Sequence, residues 1–219
     1  MRRTLRQPLA TCLAAATLTL AGCNIIGPVA SIAAGPPTQA ALYPLDRERP
    51  TVVFIDDRAS VLPRRSLRQT IAQQIQNDLL GQSVVKTVID SKSIAALAAR
   101  DPADKPSDIS TLGKAVSAEI VIYVSLDRFG ISPDGQVNQP FADARVKVLD
   151  VTKPQPRVWP DDREGHSVSL IMPQRRGDMP KTASALASEQ ETVAKVLGDN
   201  IAQLFYKHEV VTHPSRERD

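Results

Sequence analysis

Acidic residues stand where several apolar runs stop: Asp56 and Asp57 after Thr51-Val52-Val53-Phe54-Ile55, then Asp90, Asp127 and Asp150. Carboxylates gathered at the carboxyl ends of parallel strands can hold Mg²⁺ and support hydrolysis or phosphoryl transfer. Asp56 and Asp57 are the pair on which a cation-dependent hydrolase would be centred; the competing reading is a plain turn. The others do not join them. Asp90 sits where a helix N-cap belongs, and Asp127 and Asp150 fall in segments that read as antiparallel strands, whose ends point in opposite directions. His208 and His213 flank a glutamate but are five apart, whereas a zinc-protease helix needs its two histidines four apart on one face. No metal site is expected there, and His166 reads as a polar strand position. The chain has no G-x-G-x-x-G, G-x-x-x-x-G-K or G-x-S-x-G pattern, so neither a phosphate cradle nor a nucleophile elbow is expected. These absences point to no catalytic residues, no cofactor and a non-enzymatic role. A different candidate surface is uncharged: Gln69, Gln73, Gln74 and Gln76 lie on one helix and would form a face for a protein partner. The basic pairs Arg64-Arg65 and Arg175-Arg176 read as solvated element ends.

The amino terminus carries another chemistry. Arg2, Arg3 and Arg6 precede an uncharged stretch, Leu9–Leu20, and Leu20-Ala21-Gly22-Cys23 follows. At about 1.5 Å per residue, that stretch is far shorter than the roughly 30 Å hydrocarbon core, so it reads as an export signal and not a span. The ending resembles the lipobox of bacterial lipoproteins. That resemblance implies alkylation of the Cys23 thiol, cleavage between Gly22 and Cys23, and acylation of the new amine with fatty acid such as palmitate. More than one acyl chain gives stable anchoring. Asn24 after the cysteine, where inner-membrane lipoproteins typically carry Asp, favours the outer membrane with the domain facing the periplasm. The chain has two cysteines; once Cys12 leaves with the signal and Cys23 is lipidated, no thiol remains for a disulfide or catalysis.

The elements that position these groups follow from periodicity. Residues 23–50, with Pro28, Pro36, Pro37, Pro44 and Pro50, read as a Pro-rich tether; residues 51–210 read as the folded domain and 211–219 as a tail. Thr51–Ile55 is a strand buried on both faces. Leu67, Ile71, Ile75 and Leu79 mark a helix with Pro63 in its first turn and Gly81 as its C-terminal cap. A strand at Val84–Ile89, a helix capped by Asp90 and a short helix capped by Asp108 come next. Ala142, Ala144, Val146 and Val148 alternate with charged residues, as in a half-exposed antiparallel strand. Two further short strands and a helix over Thr182–Lys207 complete the order β-α-β-α-α-β-β-β-β-α. The class is α/β: a single-domain sandwich with a mixed sheet and helices packed on it.

That order, together with Val53-Phe54-Ile55-Asp56-Asp57, Leu112-Gly113-Lys114-Ala115 and Ala118-Glu119-Ile120-Val121-Ile122, resembles the periplasmic domain of CsgG-like curli-secretion lipoproteins and LpoB-like activators of penicillin-binding proteins. The resemblance implies an anticodon-binding-domain-like fold used as a protein-interaction module. Another cell-envelope protein would be its partner, as scaffold, accessory or activator in envelope assembly or export. Curli-type pores insert long amphipathic hairpins, whereas Gly130–Pro140 is short, polar and turn-rich. A monomer or weak homo-oligomer is therefore expected, with a CsgG-like oligomeric secretion complex as the alternative.

Composition agrees with an envelope module. The chain has 219 residues, 27 basic against 24 acidic, and 4% aromatics. Removing Arg2, Arg3 and Arg6 with the signal leaves 24 basic against 24 acidic. A neutral chain poor in aromatic rings gives no basis for a nucleic-acid partner.

Overall fold

The computed structural model describes residues 37–102, 105–174 and 179–210. Gly22, Cys23, the export segment, most of the expected tether, Arg175-Arg176, His213 and the tail lie outside the described residues. No helix among the described residues is long and apolar enough to cross a membrane. Residues 40–208 form one compact unit; 37–39 and 209–210 belong to a second, where the Val210 N–H donates to the Pro37 carbonyl at 2.8 Å.

The main unit is built on a mixed six-stranded sheet. Strand β1 (Thr51–Asp56) lies between β2 (Val88–Ile89) and β3 (Ile120–Gly130), parallel to both, with Thr51 opposite Val88 on one side and Ile120 on the other. Strand β4 (Phe141–Asp150) runs antiparallel to β3. Its other side pairs first with β5 (Arg157–Trp159) and then with β6 (His166–Ile171), both antiparallel. The expected element order holds from 51 to 202, with the strand expected over Val84–Ile89 reduced to Val88–Ile89 and the last helix ending at Ala202; the short strand His208–Glu209 that follows was not expected.

Helix cover is uneven, and the sequence pattern follows it. Helices α1 (Ser66–Gly81) and α4 (Ala183–Ala202) pack on one face through Leu67, Ile71, Ile75, Leu79, Val193, Leu197 and Ile201. Helices α2 (Ser91–Ala98) and α3 (Ile109–Ala115) cover the other face only at its parallel half, enclosing Val52, Phe54, Val121, Leu149 and Val151. Strand β1 is therefore apolar on both sides, because Val53 and Ile55 enter one core and Val52 and Phe54 the other. Strand β4 alternates: Ala142, Ala144, Val146 and Val148 face the larger core, and Asp143, Arg145 and Lys147 lie on the side that no described helix covers. Removing a fully buried Ile or Leu side chain from this core costs about 2–5 kcal/mol.

Local caps act as the sequence indicates. Asp90 accepts from the Lys92 N–H at 2.9 Å, and Asp108 from the Ser110 N–H at 3.0 Å. Thr182 accepts from the Ala185 N–H at 3.1 Å. Two details differ from expectation. Helix α1 begins at Ser66, so Pro63 precedes its first turn, and Gly81 is its last residue; the left-handed position is Ser83, at φ 55°. Ser83 takes that conformation because the N–H groups of Gln82, Ser83 and Val84 turn back to the carbonyls of Asp78, Leu80 and Leu79.

The domain also starts earlier than residue 51. The N–H groups of Leu42 and Tyr43 donate to the Leu204 carbonyl, the Tyr43 ring lies 5.8 Å from Trp159, and Leu45 packs against the larger core. The Arg47 carbonyl accepts the Lys86 N–H, and Arg49 pairs with Asp150 and Glu119. Its prolines made this stretch read as tether, but scattered Tyr, Leu and Arg side chains tie residues 40–50 to the domain.

Candidate functional site

Strand β1 ends at Asp56, beside a cleft of about 440 Å³. The position follows from topology: α1 leaves β1 on one face and returns to β2, and α2 and α3 lie on the opposite face before β3. Ligands of open α/β sheets settle in such crevices at the carboxyl ends of strands. Asp56 and Asp57 form one rim, Arg58 and Arg68 lie beside them, and Ala95 and Leu112 contribute to an apolar wall.

The two aspartates are not open ligands. Asp56 is 8% exposed; its Oδ2 accepts the Tyr123 hydroxyl at 2.6 Å and lies 2.9 Å from Arg58 Nε. Burial, then the hydrogen bond and charge of Asp56, push the Tyr123 hydroxyl well above the usual phenol range. Asp57 is 4% exposed and accepts the Val61 N–H at 2.7 Å, which closes the 57–61 turn containing Ser60 at φ 53°. Its other oxygen lies 3.3 Å from Arg68 Nη2, which also donates to the Asp57 carbonyl at 3.2 Å. Two carboxylates thus face two guanidinium groups, an arrangement that satisfies its own charge. Asp57 does hold a turn, but a buried and ion-paired one. Among the described residues, no three His, Cys, Asp or Glu side chains gather as a metal would need. The other acids are dispersed: Asp90 caps α2, Asp127 pairs with Arg145, and Asp150 pairs with Arg49.

The glutamine face is not a face. Gln76 is 9% exposed, and its amide donates to the Ile89 carbonyl at 2.9 Å; Gln69 donates to Ser91 Oγ at 3.3 Å. Gln74 donates to Asp78 and packs its Cβ under Gly198 of α4. Only Gln73 of the four is exposed. Helix α1 is flanked by α4 on one side and by the start of α2 on the other, so polar positions that one isolated helix would expose become inter-element contacts.

The open surface lies elsewhere, on the antiparallel half of the sheet, where none of the described helices packs. There Arg128 pairs with Asp143, which accepts Ser169 Oγ at 2.7 Å, and Arg145 pairs with Asp127 at 2.8 Å and with Glu164. The Arg128 guanidinium sits 5.5 Å from the centre of the Phe141 ring, and Ile171, opposite Phe141, is 66% exposed. Asp143 is held below the usual carboxylate range: burial opposes ionisation, and Ser169 and Arg128 together outweigh it. Sequence patterning located this half-exposed strand through its alternating charges but did not reveal the ion pairs that join β3 to β4 and reach Glu164 in the loop before β6. Between β3 and β4, Asp134 Oδ1 accepts the N–H groups of Gln136 and Val137, fixing the short polar turn. His166 stacks on Trp159 at 5.0 Å, and His208 contacts the Tyr206 carbonyl and ring.

The chain matches no protein-family model, and no curated protein matches it. Comparison with solved structures finds partial likenesses. A hypothetical protein from Chlamydia trachomatis, CT253, is 15% identical with a TM-score of 0.44, over 73% of this chain and 98% of that one. Lipoprotein GNA1162 from Neisseria meningitidis is 11% identical with a TM-score of 0.41, over 69% and 99%. The PelC dodecamer from Paraburkholderia phytofirmans is 14% identical with a TM-score of 0.37, over 75% and 94%. These figures describe a general likeness and assign no ligand, family or assembly to this chain.

Proposed function

We propose that this protein is a bacterial lipoprotein, anchored in the outer membrane by acyl chains on Cys23, whose periplasmic domain is a non-enzymatic protein-interaction module in cell-envelope assembly or export. The observation that carries the reading is the amino-terminal order: three arginines, an uncharged stretch too short to span, and Leu20-Ala21-Gly22-Cys23. An anchored domain meets its partners at a high effective concentration, set by the length of chain between lipid and fold. Because residues 40–50 pack with the domain, no more than about 17 residues, Cys23 to Gln39, separate the lipid-bearing position from the main folded unit.

Two structural observations support binding over catalysis. Asp56 and Asp57 are already paired with Arg58, Arg68 and Tyr123, and half of one sheet face has none of the described helices over it. The test of the anchor is fractionation of cells carrying Cys23→Ser. Release of the protein from the membrane fraction supports the reading, and unchanged retention overturns it.

A further inference from the structure

Among the described residues, strand β6 pairs only with β4 and is an outer edge of the sheet, beside the face that no described helix covers. The Met172 N–H donates to the Pro140 carbonyl at 2.8 Å, and the register continues as Leu170 opposite Ala142, Val168 opposite Ala144 and His166 opposite Val146. Backbone groups alternate along an antiparallel strand. The even-numbered residues therefore bond inward to β4, and Ser167, Ser169 and Ile171 turn their N–H and C=O groups outward. No described residue takes those bonds. The three outward positions are also exposed, whereas Val168 and Leu170 are buried.

Folded proteins blunt such edges with Lys, Pro, bulges or cover. His166-Ser167-Val168-Ser169-Leu170-Ile171 has no formally charged residue and no proline. We propose that β6 is an interface at which a second copy of this chain adds its own β6, antiparallel, to give one sheet continuous across a two-fold dimer. This deepens the interaction-module reading by naming one partner, but it does not require the lipid.

Geometry selects the register. Residues directly opposite must point to the same face, or the buried Val168 and Leu170 of one copy would meet the solvent face of the other. With Ser169 opposite Ser169, Ser167 meets Ile171 twice, and all three outward residues of each copy bond within the strand, as isologous pairing requires. Centring on Val168 would recruit Gly165, which leaves the strand at φ 98° with its N–H already bonded to Asp162.

The experiment uses full-length protein with Cys12→Ser and Cys23→Ser, so that an introduced cysteine is the only thiol. Opposed residues of a hydrogen-bonded pair have Cα atoms about 5.5 Å apart, within disulfide reach. Ser169→Cys is expected to give a disulfide-linked dimer on mild oxidation, and Ala96→Cys, exposed on α2, is expected to remain monomeric. In the cysteine-free background, Ser169→Lys keeps a partner for Asp143 and sets like charges across the axis. It is expected to loosen the dimer about fivefold or more in sedimentation, with unfolding unchanged. Ile171→Lys, which only alters an exposed side chain, gives the same readout if Ser169→Lys disturbs the fold. A monomeric parent protein, equal crosslinking at positions 96 and 169, or a dimer indifferent to both lysines overturns the proposal. Because Cys23 is absent throughout, failure here is distinct from failure of the anchor.

Discussion

Arg49 grips Asp150 with two nitrogens, Nη1 to Oδ2 at 2.7 Å and Nη2 to Oδ1 at 2.6 Å, across 101 positions of sequence. The same guanidinium reaches Glu119 at 2.8 Å, so the segment before β1 is fastened at once to the start of β3 and the end of β4. The Asp150 side chain is only 2% exposed, and Thr152 also hydrogen-bonds it. Breaking a buried pair by removing one partner costs about 3–5 kcal/mol. Arg49→Ala is expected to lower stability by about 3 kcal/mol in urea unfolding at pH 7. Arg49→Lys should recover only part, because an ammonium cannot match the two-point contact.

The same pair fixes a pH dependence. The Arg49 hydrogen bonds hold the Asp150 carboxyl far below its ordinary value of 3.8, against the opposing effect of burial. A depressed folded-state pKa gives stability that is present above the unfolded value and lost as pH falls below it. The stability gap between the native chain and Asp150→Asn should therefore narrow as the pH is lowered from 5 toward 2, measured by urea unfolding at each pH.

Asp78 on α1 works in the opposite direction. Burial, and then its hydrogen bond to Asp199 of α4 and the charge there, raise its pKa from 3.8 to about 6. A raised value gives stability that is full below the unfolded pKa and lost as pH rises through the folded one. The α1–α4 contact therefore tightens between pH 7 and pH 4. Asp78→Asn is expected to raise the melting temperature at pH 7 and to have little effect at pH 4.

Two glycines mark close approaches. A Cβ on Gly113 of α3 would lie 2.6 Å from Val121 Cγ2 and 3.0 Å from Val151 Cγ1, and one on Gly198 of α4 would lie 2.7 Å from Gln74 Cβ and 3.1 Å from the Ile71 carbonyl. Gly113→Ala and Gly198→Ala should each cost about 1–3 kcal/mol in urea unfolding. A Cβ on Gly81 meets nothing within 4 Å, so Gly81→Ala is the matched control and is expected to be neutral or stabilising by up to about 1 kcal/mol.

The Asp56–Asp57 cluster predicts indifference to cations. Both carboxylates are already paired, with Arg58 and Arg68, so millimolar Mg²⁺ or Ca²⁺ should leave the melting temperature unchanged. Tyr123→Phe removes the hydroxyl from Asp56 and should cost about 1.5–3 kcal/mol, the range for a hydrogen bond to a charged group. A cation-dependent rise in melting temperature would restore the metal reading of these aspartates.

The contrast between what the sequence showed and what it hid has a physical pattern. Strand β1, the inward alternation of β4 and the caps Asp90 and Asp108 were legible because each depends on residues a few positions apart. The burial of Gln76 was not, since it depends on the Ile89 carbonyl reaching the helix from another element. Arg49 was missed for the same reason: its partner is 101 residues away, and surrounding prolines dominate the local signal. Arg58 and Arg68 also went unread as partners of Asp56 and Asp57, although arginines two and eleven positions from an acid pair were a usable hint. The open edge of β6 is partly legible, as a six-residue run without charge or proline, but only the β4 register tells which backbone groups face outward.

The central claim is lipid attachment at Cys23, and intact-mass analysis of protein purified from its native membrane tests it most directly. The account predicts that residues 1–22 are absent and that residue 23 carries the added mass of a diacylglyceryl group and an amide-linked acyl chain, both removed by Cys23→Ser. A mature protein with an unmodified Cys23, or one whose first residue lies elsewhere, would contradict it.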